Sequence, residues 1–197
     1  MQFFFPKTIL PLNIFEKRYI SLVEDCMKGE RLFGMIQPNI NSSNSLQVHK
    51  VGCLGKIISF NETDDKRFII TLSGVVRFKV KKEIDTEKLY RKFDVDYKDF
   101  IGDLQFDEKK GTVNFDKKNL LNKIRTYFRK KNYSVELDEL LKLNLDQLIS
   151  TVCMISPFSI EEKQKILETI KIQDKLKILE EIINFNLVDA QENKTIQ

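Results

Sequence analysis

The sequence predicts an α+β fold, in which a β-rich half with one inserted helix precedes a helical half. Two patterns carry this prediction. In roughly the first hundred residues, apolar and polar side chains tend to alternate, as they do in half-buried strands. Farther along, apolar residues recur every three or four positions, which is typical of amphipathic helices. The 197 residues are 42% hydrophobic and 31% charged, which supplies enough apolar surface for a folded core.

One helix is predicted within the β-rich half, over about residues 16–28. Phe15, Tyr19 and Cys26 recur there at helical spacing, so Phe15 and Tyr19 are expected to face the core. Gly29 follows the last periodic residue, where a left-handed C-terminal cap is favoured.

A hairpin is predicted next, with a polar turn at residues 61–65. On the returning strand Phe68, Ile70 and Leu72 alternate with the residues between them. Gly74 then predicts a bulge or a close approach of another backbone segment. Residues 90–100 alternate again and predict a further strand.

The second half is predicted to consist of helices. Ser159 and Glu162 have the spacing of a capping box, which marks a helix N-terminus. Residues 102–112 contain two glycines and a Glu-Lys-Lys run with few apolar groups, which favours a boundary there. We therefore predict two subdomains, residues 1–112 and residues 113–197.

The residues that carry chemistry are sparse, which disfavours an enzyme. Cys26, Cys53, Cys153 and the single histidine, His49, fit no zinc-binding spacing. Glycines form neither a phosphate-binding loop nor a dinucleotide fingerprint. We expect no catalytic residue, no metal and no cofactor.

Charge and hydropathy predict the cellular compartment of the protein and disfavour two classes of partner, nucleic acids and membranes. The chain has 33 basic and 29 acidic residues, and a net charge of +4 is too small to indicate nucleic-acid binding by itself. No apolar run approaches the roughly 18 residues of a membrane span, and no basic segment precedes Phe3 as in a signal peptide. We expect a cytoplasmic protein with no membrane contact.

Four segments together resemble one known family. They are residues 10–19 (LPLNIFEKRY), 51–53 (VGC), 72–78 (LSGVVRF) and 159–168 (SIEEKQKILE). In order and spacing they resemble the amino-terminal substrate-binding domain of the Lon protease family, in a stand-alone form. The resemblance implies a PUA-like β pseudo-barrel followed by a helical bundle, and binding of unfolded polypeptide or of a protein partner.

The sequence departs from that family pattern in two places. It ends at Gln197 without the ATPase and protease modules of the full protease, so proteolysis by this chain is not expected. The family also usually has an apolar strand before the segment that matches residues 3–6, and Met1 and Gln2 leave no space for it. Either the start has been placed late, or the barrel lacks one strand and exposes an edge that invites self-association.

Five residues are candidates for contact with a partner: Phe3, Phe4, Phe5, Arg77 and Lys79. The three phenylalanines form either an apolar binding surface or part of the core, and the core is favoured because alternate residues of a strand usually bury one face.

Arg77 has two interpretations. It pairs with a carboxylate such as Glu16, which is the favoured interpretation, or it contacts a ligand directly.

An RNA-binding module is the alternative function, because residues 77–92 carry seven positive and three negative charges. The basic residues are Arg77, Lys79, Lys81, Lys82, Lys88, Arg91 and Lys92. A solvated strand face explains this segment better than a nucleic-acid surface, since Tyr90 and Phe93 alternate as buried residues do. Binding of nucleic acid is therefore disfavoured.

Overall fold

A computed structural model describes residues 3–39, 47–105 and 115–192 of the chain. The chain divides into two compact units, Met1–Phe106 and Asp107–Gln197. The first unit contains the sheet and the second contains helices, which confirms the α+β class. The boundary predicted between residues 112 and 113 lies outside the described residues.

The first unit is built on a five-stranded antiparallel sheet. Its strands run in the spatial order β1-β4-β3-β2, with β5 also paired to β4. They are β1 (Ile9–Ile14), β2 (Leu32–Met35), β3 (Val51–Glu62), β4 (Phe68–Ile84) and β5 (Lys92–Asp96). Helix α1 (Lys17–Met27) connects β1 to β2, and a 3₁₀ helix (Lys98–Leu104) follows β5. The closing of this sheet into a PUA-like pseudo-barrel stays a prediction.

Strand β4 is the centre of the sheet. The predicted hairpin with β3 is confirmed, and β1 pairs with the first part of β4 while β5 pairs with its last part. The alternation predicted for the returning strand is also observed, because Phe68, Ile70 and Leu72 are all buried. Strands β1, β3 and β5 pair directly with β4, and β2 pairs with β3.

At Gly74 another backbone segment passes directly over β4. A Cβ atom built on Gly74 would collide with the carbonyl oxygen of Phe5 and lie 3.0 Å from the Cα of Pro6. Two backbone hydrogen bonds of 2.9 Å hold the crossing, from the Lys7 N–H to the Gly74 carbonyl and from the Gly74 N–H to the Thr8 carbonyl. The close approach predicted at Gly74 is confirmed. The register of β3 on β4 also shifts here, which is the predicted bulge.

A second close approach places an aromatic ring against two other strands. A Cβ atom on Gly52 would lie 2.5 Å from Cζ of Phe78, and one on Gly34 would lie 2.9 Å from the same ring. Glycine at both positions therefore makes room for the buried Phe78 side chain.

The predicted helix is present as α1, but its orientation and its cap differ from the prediction. Phe15 is 64% exposed and Tyr19 is 39% exposed, so the expectation that they face the core is wrong. Phe15 precedes the N-cap, Glu16, and so does not share the helical periodicity. The left-handed residue after the helix is Arg31, with φ of 60°, whereas Gly29 does not have a positive φ.

The strand predicted over residues 90–100 is shorter than expected. Strand β5 ends at Asp96, and Phe100 is buried within the 3₁₀ helix instead. The alternation ends at Tyr97, and Phe100 follows three residues later, which is a helical spacing, so the alternation does not support a strand that extends to residue 100.

The second unit contains five described helices. They are α2 (Lys117–Lys130), α3 (Leu137–Lys142), α4 (Leu145–Ile155), α5 (Ile160–Glu168) and α6 (Ile172–Glu192). The predicted capping box is confirmed at the start of α5, where Ser159 and Glu162 each accept a hydrogen bond from the other's backbone N–H. None of the helices in the described ranges is long and apolar enough to span a membrane.

Lys175 and Tyr127 are among the polar side chains buried in this helical unit. The Lys175 side chain is 6% exposed, and its Nζ donates to Asp146 Oδ1 over 2.9 Å. The Tyr127 hydroxyl is buried and has no hydrogen-bond partner among the described residues. Burial raises the pKa of Tyr127 to about 12.

The Gly74→Ala substitution is expected to destabilise the first unit by about 3 kcal/mol, because the new methyl group meets a backbone carbonyl that cannot rotate away. Hydrogen exchange of core amides in β3 and β4 measures this loss. Gly29→Ala is the control, since its Cβ would meet its nearest atom at 3.9 Å. Equal exchange in the two variants would contradict the crossing at Gly74.

The Tyr127→Phe substitution is expected to stabilise the second unit by about 1 kcal/mol, because it removes a buried hydroxyl that lacks a partner. Amide exchange in α2 reports the change. Tyr133→Phe, at a residue that is 53% exposed, should have no effect. A loss of stability in Tyr127→Phe would mean that the hydroxyl is hydrogen-bonded.

Candidate functional site

The three candidate phenylalanines at the start of the chain are buried. Phe3, Phe4 and Phe5 are 5%, 3% and 2% exposed. They lie in an irregular segment before β1 rather than on a strand, and so all three point into the core. This placement agrees with the core interpretation and leaves little of their surface for a partner.

The fourth candidate, Arg77, is buried in an ion pair. Its Nε and Nη2 donate to the two carboxylate oxygens of Asp103 over 2.8 Å each, and its backbone N–H donates to Oδ2 over 3.1 Å. The guanidinium also stacks on the Phe100 ring, 4.5 Å from its centroid. The favoured interpretation, that Arg77 pairs with a carboxylate, agrees with this contact, but the partner is Asp103 and not Glu16, which bonds to Arg18.

The bulge beside Gly74 explains why Arg77 points inward. Leu54 pairs with Val76 and Gly55 pairs with Gly74, so Val75 is an extra residue in β4. Alternation is interrupted there, and Val76, Arg77 and Phe78 are all buried. Arg77 therefore joins the 3₁₀ helix to β4, which is a structural role.

The basic segment 77–92 is largely neutralised by acidic residues. Besides the pair of Arg77, the structure places Lys79 3.9 Å from Asp99, Lys81 3.5 Å from Asp96, Lys88 2.8 Å from Asp25, and Arg91 2.6 Å from Glu83. Most of these carboxylates lie outside the segment, so a local charge count does not include them. Lys79, the fifth candidate, is exposed but shares its charge with Asp99.

Asp25 connects α1 to the loop before β5. It accepts hydrogen bonds from the Lys88 ammonium and from the Tyr90 hydroxyl, over 2.8 Å and 2.9 Å. These two bonds, with that from Lys88 the larger, lower the pKa of Asp25. The contact holds the loop against the helix.

The edge strand β1 is poorly suited to pairing with another chain. The Thr8 carbonyl bonds to Gly74, and ladder bonds in an antiparallel pair recur at every second residue. The nitrogen of Pro11 therefore faces the unpaired side of β1, where it offers no N–H. Self-association through an open edge stays a prediction, and Pro11 disfavours it at this strand.

An apolar groove lies between the last turn of α1 and the end of the β3–β4 hairpin. Its volume is about 500 Å³, and it is largely open to solvent. The lining residues are Glu24, Met27, Lys28, Phe60, Glu62 and Phe68.

The floor of the groove is formed by aromatic rings and a thioether. The rings of Phe60 and Phe68 lie 5.0 Å apart, and Phe60 is 39% exposed whereas Phe68 is 6% exposed. A register shift between Ile57 and Ser59 brings Phe60 opposite Ile70, on the inner face of the sheet. Met27, which is half-buried on α1, also lines the groove.

This combination of groups suits binding rather than catalysis. Methionine and aromatic side chains adapt to apolar partners of varied shape. No cluster of metal-binding side chains occurs in the part of the chain that the structure describes. The groove could not be predicted from the sequence because its two walls come from separate elements, although Phe60, an aromatic residue directly before the polar turn, is a signal that points to it.

Comparison with known proteins decides the family. The sequence model of the ATP-dependent protease La (LON) substrate-binding domain matches residues 1–184. The chain belongs to this family. It is 26% identical to a Lon protease of Desulfosudis oleivorans and 24% identical to one of Syntrophus aciditrophicus, over 93% and 98% of its length. It covers 22% and 25% of those proteins, about a quarter of their length.

Solved structures of this family share the fold. The chain is similar to a Lon N-terminal domain protein from Xanthomonas campestris, with a TM-score of 0.61 and 18% identity. The match covers 90% of this chain and 91% of that one. The Lon-type resemblance expected from four short segments is therefore confirmed over nearly the whole chain.

The Asp103→Ala substitution is expected to destabilise the first unit by about 3–5 kcal/mol, because it leaves the buried Arg77 guanidinium without its carboxylate. Asp99→Ala, which breaks only the exposed contact with Lys79, should cost less than about 1 kcal/mol. Amide exchange in β4 compares the two. Similar losses would show that the Arg77 pair does not hold the 3₁₀ helix to the sheet.

Proposed function

We propose that this chain is a non-catalytic module that binds apolar segments of unfolded polypeptides in the groove between α1 and the β3–β4 hairpin. The observation that carries the proposal is the floor of Met27, Phe60 and Phe68, in which a large aromatic side chain is left partly exposed beside a concave surface. Membership of a family of substrate-binding domains supports a polypeptide as the occupant.

The alternative of RNA binding has weaker support. Phosphate contacts need cations that are available to the backbone of the nucleic acid. In the segment 77–92, Arg77 is buried, and Lys79, Lys81, Lys88 and Arg91 already lie within 4 Å of carboxylates. Binding to RNA would therefore have to break these pairs or depend on the remaining lysines.

Catalysis forms no part of the proposal. The activity of the relatives belongs to proteins about four times as long, and the groove offers a thioether, two rings, two carboxylates and one ammonium. Such a set can hold a peptide by contact and charge.

The experiment measures binding of a fluorescently labelled, permanently unfolded protein by anisotropy. Phe60→Ser and Met27→Ser are each expected to weaken binding roughly tenfold, because each removes apolar surface from the floor. Ile69→Ser is the matched control: Ile69 is 47% exposed and lies on the opposite face of β4. Binding that all three variants reduce equally, or that none reduces, would refute the groove as the site.

An RNA arm tests the alternative in the same assay. A labelled RNA pool is expected to bind weakly at physiological salt and with little difference between sequences. Submicromolar, sequence-selective binding that is lost when Lys79, Lys81 and Lys82 are reversed to glutamate would favour the RNA-binding function instead.

A further inference from the structure

The rim of the groove is charged on both walls. Glu24 is on α1 and Glu62 is at the end of β3, and both side chains are exposed. Among residues 3–39, 47–105 and 115–188, neither carboxylate lies within salt-bridge distance of a lysine or arginine. Each wall therefore presents one carboxylate that makes no ion pair within those residues, and Lys28, four positions after Glu24 at the end of α1, leaves the lining with a net charge of −1.

Two cations near the groove, Lys28 and Arg67, lie closer to other carboxylates than to Glu24 or Glu62. Lys28 lines the groove, but its Nζ lies 3.6 Å from Asp25 Oδ1, and Asp25 is not part of the lining. In the turn that follows Glu62, Arg67 pairs with Asp65 over 2.7 Å. Hydrogen bonds from Arg67 and then Thr63 lower the pKa of Asp65 to about 2, so this pair remains charged and adds little net field.

The negative rim contrasts with the rest of the protein. The whole chain carries a net charge of +4, whereas the groove lining has two carboxylates and one ammonium. An apolar floor between two carboxylates that make no ion pair among the described residues is complementary to an apolar side chain with a cation on either side.

Resting on the proposed function, we propose that the groove selects apolar polypeptide segments that are flanked by lysine or arginine. A segment flanked by acidic residues would bring like charges toward Glu24 and Glu62, which costs binding free energy even where the floor contacts are the same. Since both carboxylates are at the surface, the selection is moderate and weakens as salt rises.

Three peptides with one common apolar core and lysine, serine or aspartate flanks test the selection, with dissociation constants measured by anisotropy on the full chain. At low salt the lysine-flanked peptide is expected to bind roughly five- to tenfold tighter than the aspartate-flanked one. In the double variant Glu24→Gln and Glu62→Gln this ratio should fall to roughly twofold or less.

A double variant with the same loss of charge elsewhere is the control. Glu136→Gln and Asp138→Asn, at exposed residues of the second unit that are not part of the groove lining, should preserve the ratio. Equal affinities for the three peptides, or a ratio that survives Glu24→Gln and Glu62→Gln, would overturn the charge selection. In that case Phe60-dependent binding of the serine-flanked peptide would leave the proposed function standing, whereas failure of all three peptides to bind would refute both.

Discussion

The first unit depends on a steric constraint at one residue, the absence of a side chain at Gly74. Because Gly74 has no Cβ, the Phe5 carbonyl can pack directly on β4, and the Lys7 and Thr8 backbones bond to Gly74 at the crossing. The contact brings residues 3–5 into the core and fixes where β1 begins its pairing with β4. The β-bulge and the buried ion pair also depend on this region. The bulge next to Gly74 turns the Arg77 side chain inward, toward Asp103.

The position of the groove depends on the same pairing of β1 with β4. Strand β1 pairs with residues 68–73 of β4, and only Phe15 and Glu16 separate its end from α1, so the pairing of β1 also positions the helix. The other wall is the hairpin itself, in which Phe60 and Phe68 belong to strands that pair directly. The positions of both walls therefore depend on pairing with β4. The lining residues all belong to α1 with its C-cap, β3 and β4, so the groove is formed without a ligand. This pre-formed shape favours binding, because less conformational entropy is lost on association.

Features set by nearby residues could be predicted from the sequence. The hairpin, the α1 helix, the close approach at Gly74 and the Ser159 cap all depend on patterns within a few residues. The partner of Arg77 could not be predicted, because the bulge reverses the direction of Arg77 and because Asp103 belongs to a 3₁₀ helix where the sequence predicted a boundary between subdomains. The groove was missed for a related reason: Met27 and Phe60 come together only through the tertiary fold. The charge of the segment 77–92 could not be judged from the sequence for the same reason. Three of its lysines pair with Asp25, Asp96 and Asp99, which lie outside the segment.

Chemical-shift mapping of the ¹⁵N-labelled chain during titration with an unfolded protein tests most directly whether the groove is the binding surface. The account predicts that the largest saturable shifts occur at amides of the last turn of α1 and at the ends of β3 and β4 that flank the turn, around Met27, Phe60 and Phe68. Shifts that concentrate instead along β1, or along the segment 77–92, would contradict it and would locate binding at a sheet edge or at the basic strands.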